Sequence, residues 1–218
     1  MSSLSVIGNA TSYLRIPNVA DLNFGTGDFT IEWYQYQTDS NSFPRIFQIG
    51  KYSVGAGISI GVSIEGGTFY YWRNNVATPV TTLTSLQYKN TWVHFAISRA
   101  SGTTQIFMNG TSIYNTSVVT NFSSSSDLVI GNESVPSNLA AFGGYMAYFS
   151  WVKGTALRTA NFTVPNNYPS LTNNLLLLMA PSFSGTLGST VVNNTVSTVS
   201  NVPPGFDSTP PPPPPPIH

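Results

Sequence analysis

Apolar side chains in this chain recur at every second residue, and that period restricts the fold more than any other feature. Phe29, Ile31 and Trp33 alternate with Thr30, Glu32 and Tyr34, and Val93, Phe95 and Ile97 alternate with His94, Ala96 and Ser98. Successive side chains of a strand point to opposite faces, so the pattern predicts strands with one face in a core. No stretch keeps a helical period beyond about two turns. Ile106 and Met108 lead into Asn109-Gly110, the pair that a tight type I′ turn needs, which predicts a hairpin over 103–109 and 111–116. Further strands are predicted over 45–50, 57–64, 67–73, 128–131 and 144–152. Gly25-Thr26-Gly27, Gly55-Ala56-Gly57, Gly66-Gly67, Ser123 to Asp127 and Gly143-Gly144 separate them as turns. Many short strands with regular turns predict an all-β, antiparallel two-sheet sandwich of the jelly-roll type.

Composition removes several functions. The 218 residues suit one large all-β domain, and only 7% are charged, so Ser, Thr, Asn and Gln carry the solvent contact. Eight basic and eight acidic residues leave no basic stripe for nucleic acid. The absence of Cys excludes disulfides, thiolate zinc sites and a cysteine nucleophile. The N-terminal MSSLSVIGNATSYLRI has neither a basic n-region nor an apolar run of leader length, so no secretion signal is expected. The longest apolar run, Leu175 to Ala180, is too short to cross a bilayer. Seven Asn-X-Ser/Thr sequons, at Asn9, Asn109, Asn115, Asn121, Asn132, Asn161 and Asn193, are what a chain this rich in those residues produces by chance.

The boundary falls near residue 200. Residues 1–200 form the predicted domain, with a buried strand expected in 171–180 and edge strands in 184–200. Residues 201–218 form a Pro-rich tail. Pro210, Pro211, Pro212, Pro213, Pro214, Pro215 and Pro216 make an unbroken run that favours polyproline II, about 22 Å long at roughly 3.1 Å per residue. Such a rod serves as a spacer or as a strap on a neighbouring subunit, with Phe206 and Ile217 as apolar pegs.

Four ordered blocks resemble the laminin G-like, concanavalin A-like jelly-roll modules. They are YLRIPNVADLNFGTGDFTIEWYQYQ from Tyr13, WVHFAISR from Trp92, TQIFMNGTSIY from Thr104, and FGGYMAYFSWVKGTALRTANFTVP from Phe142. The last block resembles versions found in phage, large viruses and marine microbial sequences. The resemblance spans about residues 10–180 and implies two stacked sheets of six or seven strands each. Where the family often carries paired acids and an Arg, this chain has Ala147, Tyr148 and Ser150. Many members bind calcium. With five Asp and three Glu in the chain, Asp21 and Asp28 are the only carboxylates close together in a loop that could serve.

Catalytic patterns are missing from the residues. Retaining glycoside hydrolysis needs two carboxyls about 5–5.5 Å apart, and Glu32, Glu65 and Glu133 each stand alone in their segments. His94 is expected to be a half-buried sheet residue, and His218 is terminal. An enzyme is therefore not expected. Aromatic residues are abundant, and Tyr70, Tyr71, Trp72, Arg73 and Asn74 form their densest cluster, a candidate contact for glycan or protein. Tyr70 and Trp72 should face one side of the strand and Tyr71 the other, one set filling the core. Tyr34 and Tyr36, opposite Trp33, could line a concave face or an interface.

The expectation is a non-enzymatic structural or adhesion module of a larger assembly. A viral particle built from a cytoplasmic pool fits best, with homo- or hetero-oligomeric partners met by the tail. The alternative is a carbohydrate-binding module at an extracellular surface. No cofactor, nucleic acid or membrane insertion is expected.

Overall fold

The computed structural model describes residues 3–38, 41–52, 57–166, 175–179, 183–184, 192–194, 197–199 and 203. The turn expected at Gly55-Ala56 and the tail residues Phe206, Pro210 to Pro216 and Ile217 lie outside them. Among the described residues sixteen strands follow in order. They are β1 (Ser3–Ile7), β2 (Tyr13–Ile16), β3 (Phe29–Gln37), β4 (Arg45–Ile49), β5 (Ile60–Glu65), β6 (Thr68–Arg73), β7 (Val76–Thr82), β8 (Val93–Ala100), β9 (Thr103–Met108), β10 (Thr111–Thr116), β11 (Leu128–Ile130), β12 (Gly143–Lys153), β13 (Leu175–Met179), β14 (Phe183–Ser184), β15 (Val192–Asn194) and β16 (Ser197–Val199). A short helix, α1 (Ser85–Tyr88), precedes β8.

These strands form two antiparallel sheets. One runs β10-β9-β8-β3-β12-β1-β16, with β13 and β14 branching from β12; the other runs β15-β2-β11-β4-β5-β6-β7. Each continuous path has seven strands, at the upper end of the range the resemblance implies. β7 is a strand that local reading misses because Pro79 interrupts it. As an edge strand it can carry a residue without an amide hydrogen.

Hairpin chemistry sets the register of the middle of the chain. Gly66-Gly67, Asn74-Asn75, Ser101-Gly102 and Asn109-Gly110 each join neighbouring strands with both residues at positive φ, as type I′ turns require. Asn tolerates that conformation better than other side chains, so Asn74-Asn75 does the work that Asn-Gly does elsewhere. Between the sheets, Phe47 of β4 is wedged edge-on against Trp33 at 5.5 Å, Phe149 at 5.7 Å and Trp151 at 5.8 Å. Trp33 also stacks on Phe95 across β3 and β8 at 5.5 Å.

The alternation predicted for β3 and β8 holds, but both faces are buried. Phe29, Ile31 and Trp33 enter the core, and Thr30, Glu32 and Tyr34 are covered on the other side. The cover is the segment after β12, residues 155–165. Leu157 N–H donates to Thr30 Oγ1, Phe162 N–H to Gly110 O, and Tyr34 Oη–H to Pro165 O at 2.7 Å. A Cβ at Gly110 would meet Phe162 O at 2.0 Å, so this glycine serves the strap as well as the turn.

Candidate functional site

The blocks that carry the family resemblance meet in space as two internal locks. In the first, Arg99 of β8, wholly buried, reaches back to the Gly25–Asp28 loop. Its Nε donates to Gly27 O at 2.8 Å, Nη2 to Gly25 O at 2.8 Å and Nη1 to Thr120 O at 2.6 Å. Its guanidinium also lies over the rings of Phe29 and Phe122, at 4.9 and 5.1 Å. Asp28 Oδ1 accepts from Ser101 N–H at 2.8 Å, and Asp21 lies 3.7 Å from Lys153 Nζ. The two carboxylates offered for calcium are thus engaged separately, one in a turn and one in an ion pair. Among the described residues no three His, Asp or Glu gather as a metal site.

In the second lock, the strap residue Arg158 grips Glu32 with both ends of its guanidinium, Nε to Oε1 and Nη2 to Oε2, each 3.1 Å. His94 Nε2 lies 3.3 Å from Glu32 Oε2, and Phe162 covers His94 edge-on. Between Ala147 and Ser150, β12 bulges, and Tyr148 takes φ 57° and packs over Tyr34. His94 is fully buried, not half-buried as expected, because the strap lies across the outer face of its sheet. Burial pushes its pKa below 6.5, and Arg158 pushes the same way against Glu32. The Tyr34 hydroxyl is raised to about 12, by burial first and by Glu32 second. With Glu32 1% exposed and His94 at 0%, no substrate reaches this pair. It is a fastening, and the Trp92-to-Arg99 and Phe142-to-Pro165 blocks are legible because they build it.

The aromatic cluster on β6 divides three ways. Tyr71 is in the core, where burial raises its hydroxyl well above the ordinary range. Tyr70 is half-buried, between Ser63 and Pro79 in the ladder. Arg73 and Asn74 turn to the end of the strand. Trp72, as the alternation predicts, leaves the core side and forms the floor of a pocket of about 280 Å³ on the outer face of the second sheet. Phe43, Arg45, Tyr52 and Glu65 complete it.

Its geometry is ordered from below. Trp72 Nε1–H donates to Ser63 Oγ at 2.9 Å, and Ser63 Oγ–H donates to Glu65 Oε1 at 2.7 Å. Glu65 also pairs with Arg45, whose guanidinium lies 4.8 Å above the Trp72 ring. The Arg45 Nε–H is shielded from solvent and has no acceptor. Tyr52 meets Trp72 edge-on at 5.5 Å and is 52% exposed; Phe43 is 46% exposed. Two open aromatic walls, an indole floor and a polarised Arg–Glu pair suit a ligand with apolar C–H faces and several hydroxyls. Only Trp72 of this group was marked by the sequence. In a chain this poor in charge, Arg45 and Glu65 inside strands were the available signal.

The sequence model of the concanavalin A-like lectin/glucanases superfamily matches residues 8–160. Comparison with curated protein sequences finds no match. Among solved structures, a native heptameric SAP-like pentraxin from Limulus polyphemus is similar at TM-score 0.63 and 13% identity, covering 94% of this chain and 96% of its own. A protein of Bacteroides ovatus, described as a candidate carbohydrate-binding protein, is similar at TM-score 0.61 and 15% identity over 92% of this chain; the match spans 60% of that protein. Domains LG4-5 of the mouse laminin alpha1 chain are similar at TM-score 0.53 and 12% identity, over 79% of this chain and 48% of theirs. At these identities the likeness is one of fold.

Proposed function

We propose, from the premise that this chain belongs to the concanavalin A-like lectin/glucanases superfamily, that it is a non-catalytic carbohydrate-binding module working through the Trp72 pocket. The observation that carries this reading is the indole floor under a linked Arg45–Glu65 pair, walled by the exposed rings of Tyr52 and Phe43. A pyranose ring stacks its C–H face on an aromatic wall while neighbouring hydroxyls bridge guanidinium and carboxylate. The Glu65 carboxylate accepts, and the Arg45 guanidinium donates.

A glycan array followed by calorimetry, with calcium present, is expected to give a ligand of about 10 μM to 1 mM affinity. Tyr52→Ala should weaken it roughly tenfold, the worth of about 1.4 kcal/mol of stacking, without lowering the melting temperature. Tyr71→Ala would not test binding, since it empties the core. An array without hits, or undiminished affinity in Tyr52→Ala and Trp72→Ala, would overturn the assignment.

A second reading rests on the seven consecutive prolines, which suit a strap between subunits of an assembled particle. Light scattering on the full chain should show an oligomer that deletion of residues 203–218 reduces to a monomer, with the melting temperature unchanged. An unaltered mass would dismiss the strap.

A further inference from the structure

Arg73 differs from every other arginine among the described residues. Arg15 pairs with Asp127, Arg45 with Glu65 and Arg158 with Glu32, while Arg99 is met by backbone carbonyls. The Arg73 guanidinium donates from Nη2 to Thr78 Oγ1 at 3.2 Å, and its Nε and Nη1 are shielded from solvent with no acceptor. A shielded cation with unused N–H groups costs stability until an anion meets it.

The side chain lines a second pocket, of about 260 Å³, where the β6–β7 turn meets residues 118–121. Asn74 and Asn121 give it a polar rim. Val76, Val118 and Val119 give it an apolar wall, exposed by 59%, 59% and 52%. A guanidinium without a carboxylate partner suits a carboxylate, and a valine wall matches a short hydrocarbon or acyl group.

We propose that this pocket binds the carboxylate of a small organic acid, seated on Arg73 with its apolar portion against Val76, Val118 and Val119. Such a carboxylate can belong to a free acid or to an acidic sugar. The Trp72 pocket is not required, so the two assignments fail independently.

The test is a titration of the full ¹⁵N-labelled chain, following the arginine Nε–Hε resonances. The probes are 3-methylbutanoate for the free acid, glucuronate for the acidic sugar, and 3-methylbutanamide and inorganic phosphate as controls. The Arg73 resonance is expected to shift to saturation with one of the two carboxylates, and whichever binds more tightly identifies the source. The amide should leave it unmoved. Arg73→Gln should weaken that carboxylate at least tenfold. Val119→Asp, which places a carboxylate beside Arg73, should abolish binding while preserving the melting temperature, and Tyr52→Ala should leave binding intact. No shift with either carboxylate, phosphate binding as tightly as carboxylate, or undiminished affinity in Arg73→Gln or Val119→Asp would each overturn the proposal.

Discussion

Arg99→Met should lower stability by about 4 kcal/mol, since hydrogen bonds from a charged donor contribute roughly 1.5–3 kcal/mol each. Methionine fills much of the arginine's volume, so the cavity term is small. What is lost is donation to Gly25 O, Gly27 O and Thr120 O, together with the cation over Phe29 and Phe122. Gly25 O keeps the Phe122 N–H at 2.9 Å, whereas Thr120 O, whose bond to Arg99 is buried, is left without that donor. For a domain of this size the melting temperature should fall by roughly 8–16 °C, measured by circular dichroism. A fall below about 3 °C would show that water replaces the guanidinium and that the loop holds without it. Lysine at this position should rescue little, since one ammonium cannot reach carbonyls on two separate loops.

Arg158→Ala should have the next largest effect, about 3–5 kcal/mol in denaturant unfolding, because it strands the Glu32 carboxylate at 1% exposure. Glu32→Gln combined with Arg158→Met should be milder than the two single losses added together, since removing both charges leaves no unpaired ion. Equal single and double costs would mean that the strap is held by Phe162 and the Tyr34–Pro165 bond alone. A pH arm follows from His94. Its folded pKa lies below 6.5, so the unfolded chain binds the proton more readily. Stability from this residue is therefore complete above about pH 6.5 and declines as the pH falls below it. His94→Phe should flatten that decline, and an unchanged profile would locate it elsewhere.

Local chemistry made the sandwich legible. β3, β8 and β9 carry clean alternation, and Asn109-Gly110 marks a turn whose φ values of 49° and 78° are those its residues favour. β7 escaped because Pro79 masks it, and Asn74-Asn75 because Asn-Asn is a weaker turn signal than Asn-Gly. The candidate site was half legible. Trp72 was marked by its place among aromatics, but Arg45 and Phe43 approach it only because β4, β5 and β6 pair side by side. The register that sets Arg45 against Ser63, and Ser63 against Tyr70, has no trace in composition.

The sequence by itself determined the period of two, the tight turns and the scarcity of charge, all of which depend on a residue and its immediate neighbours. Tertiary structure decided what each charge is for. Glu32 lies 126 residues from Arg158, Arg99 lies 72 residues from Gly27, and Glu65 is joined to Arg45 across a sheet. An ionic or hydrogen-bonded contact is made at about 3 Å, and nothing in local spacing reports which distant side chain the fold will bring to that distance. That is why three of the four legible blocks proved to be fastenings, while the open pockets join the marked residues Trp72, Arg73 and Asn74 to partners that no motif had marked.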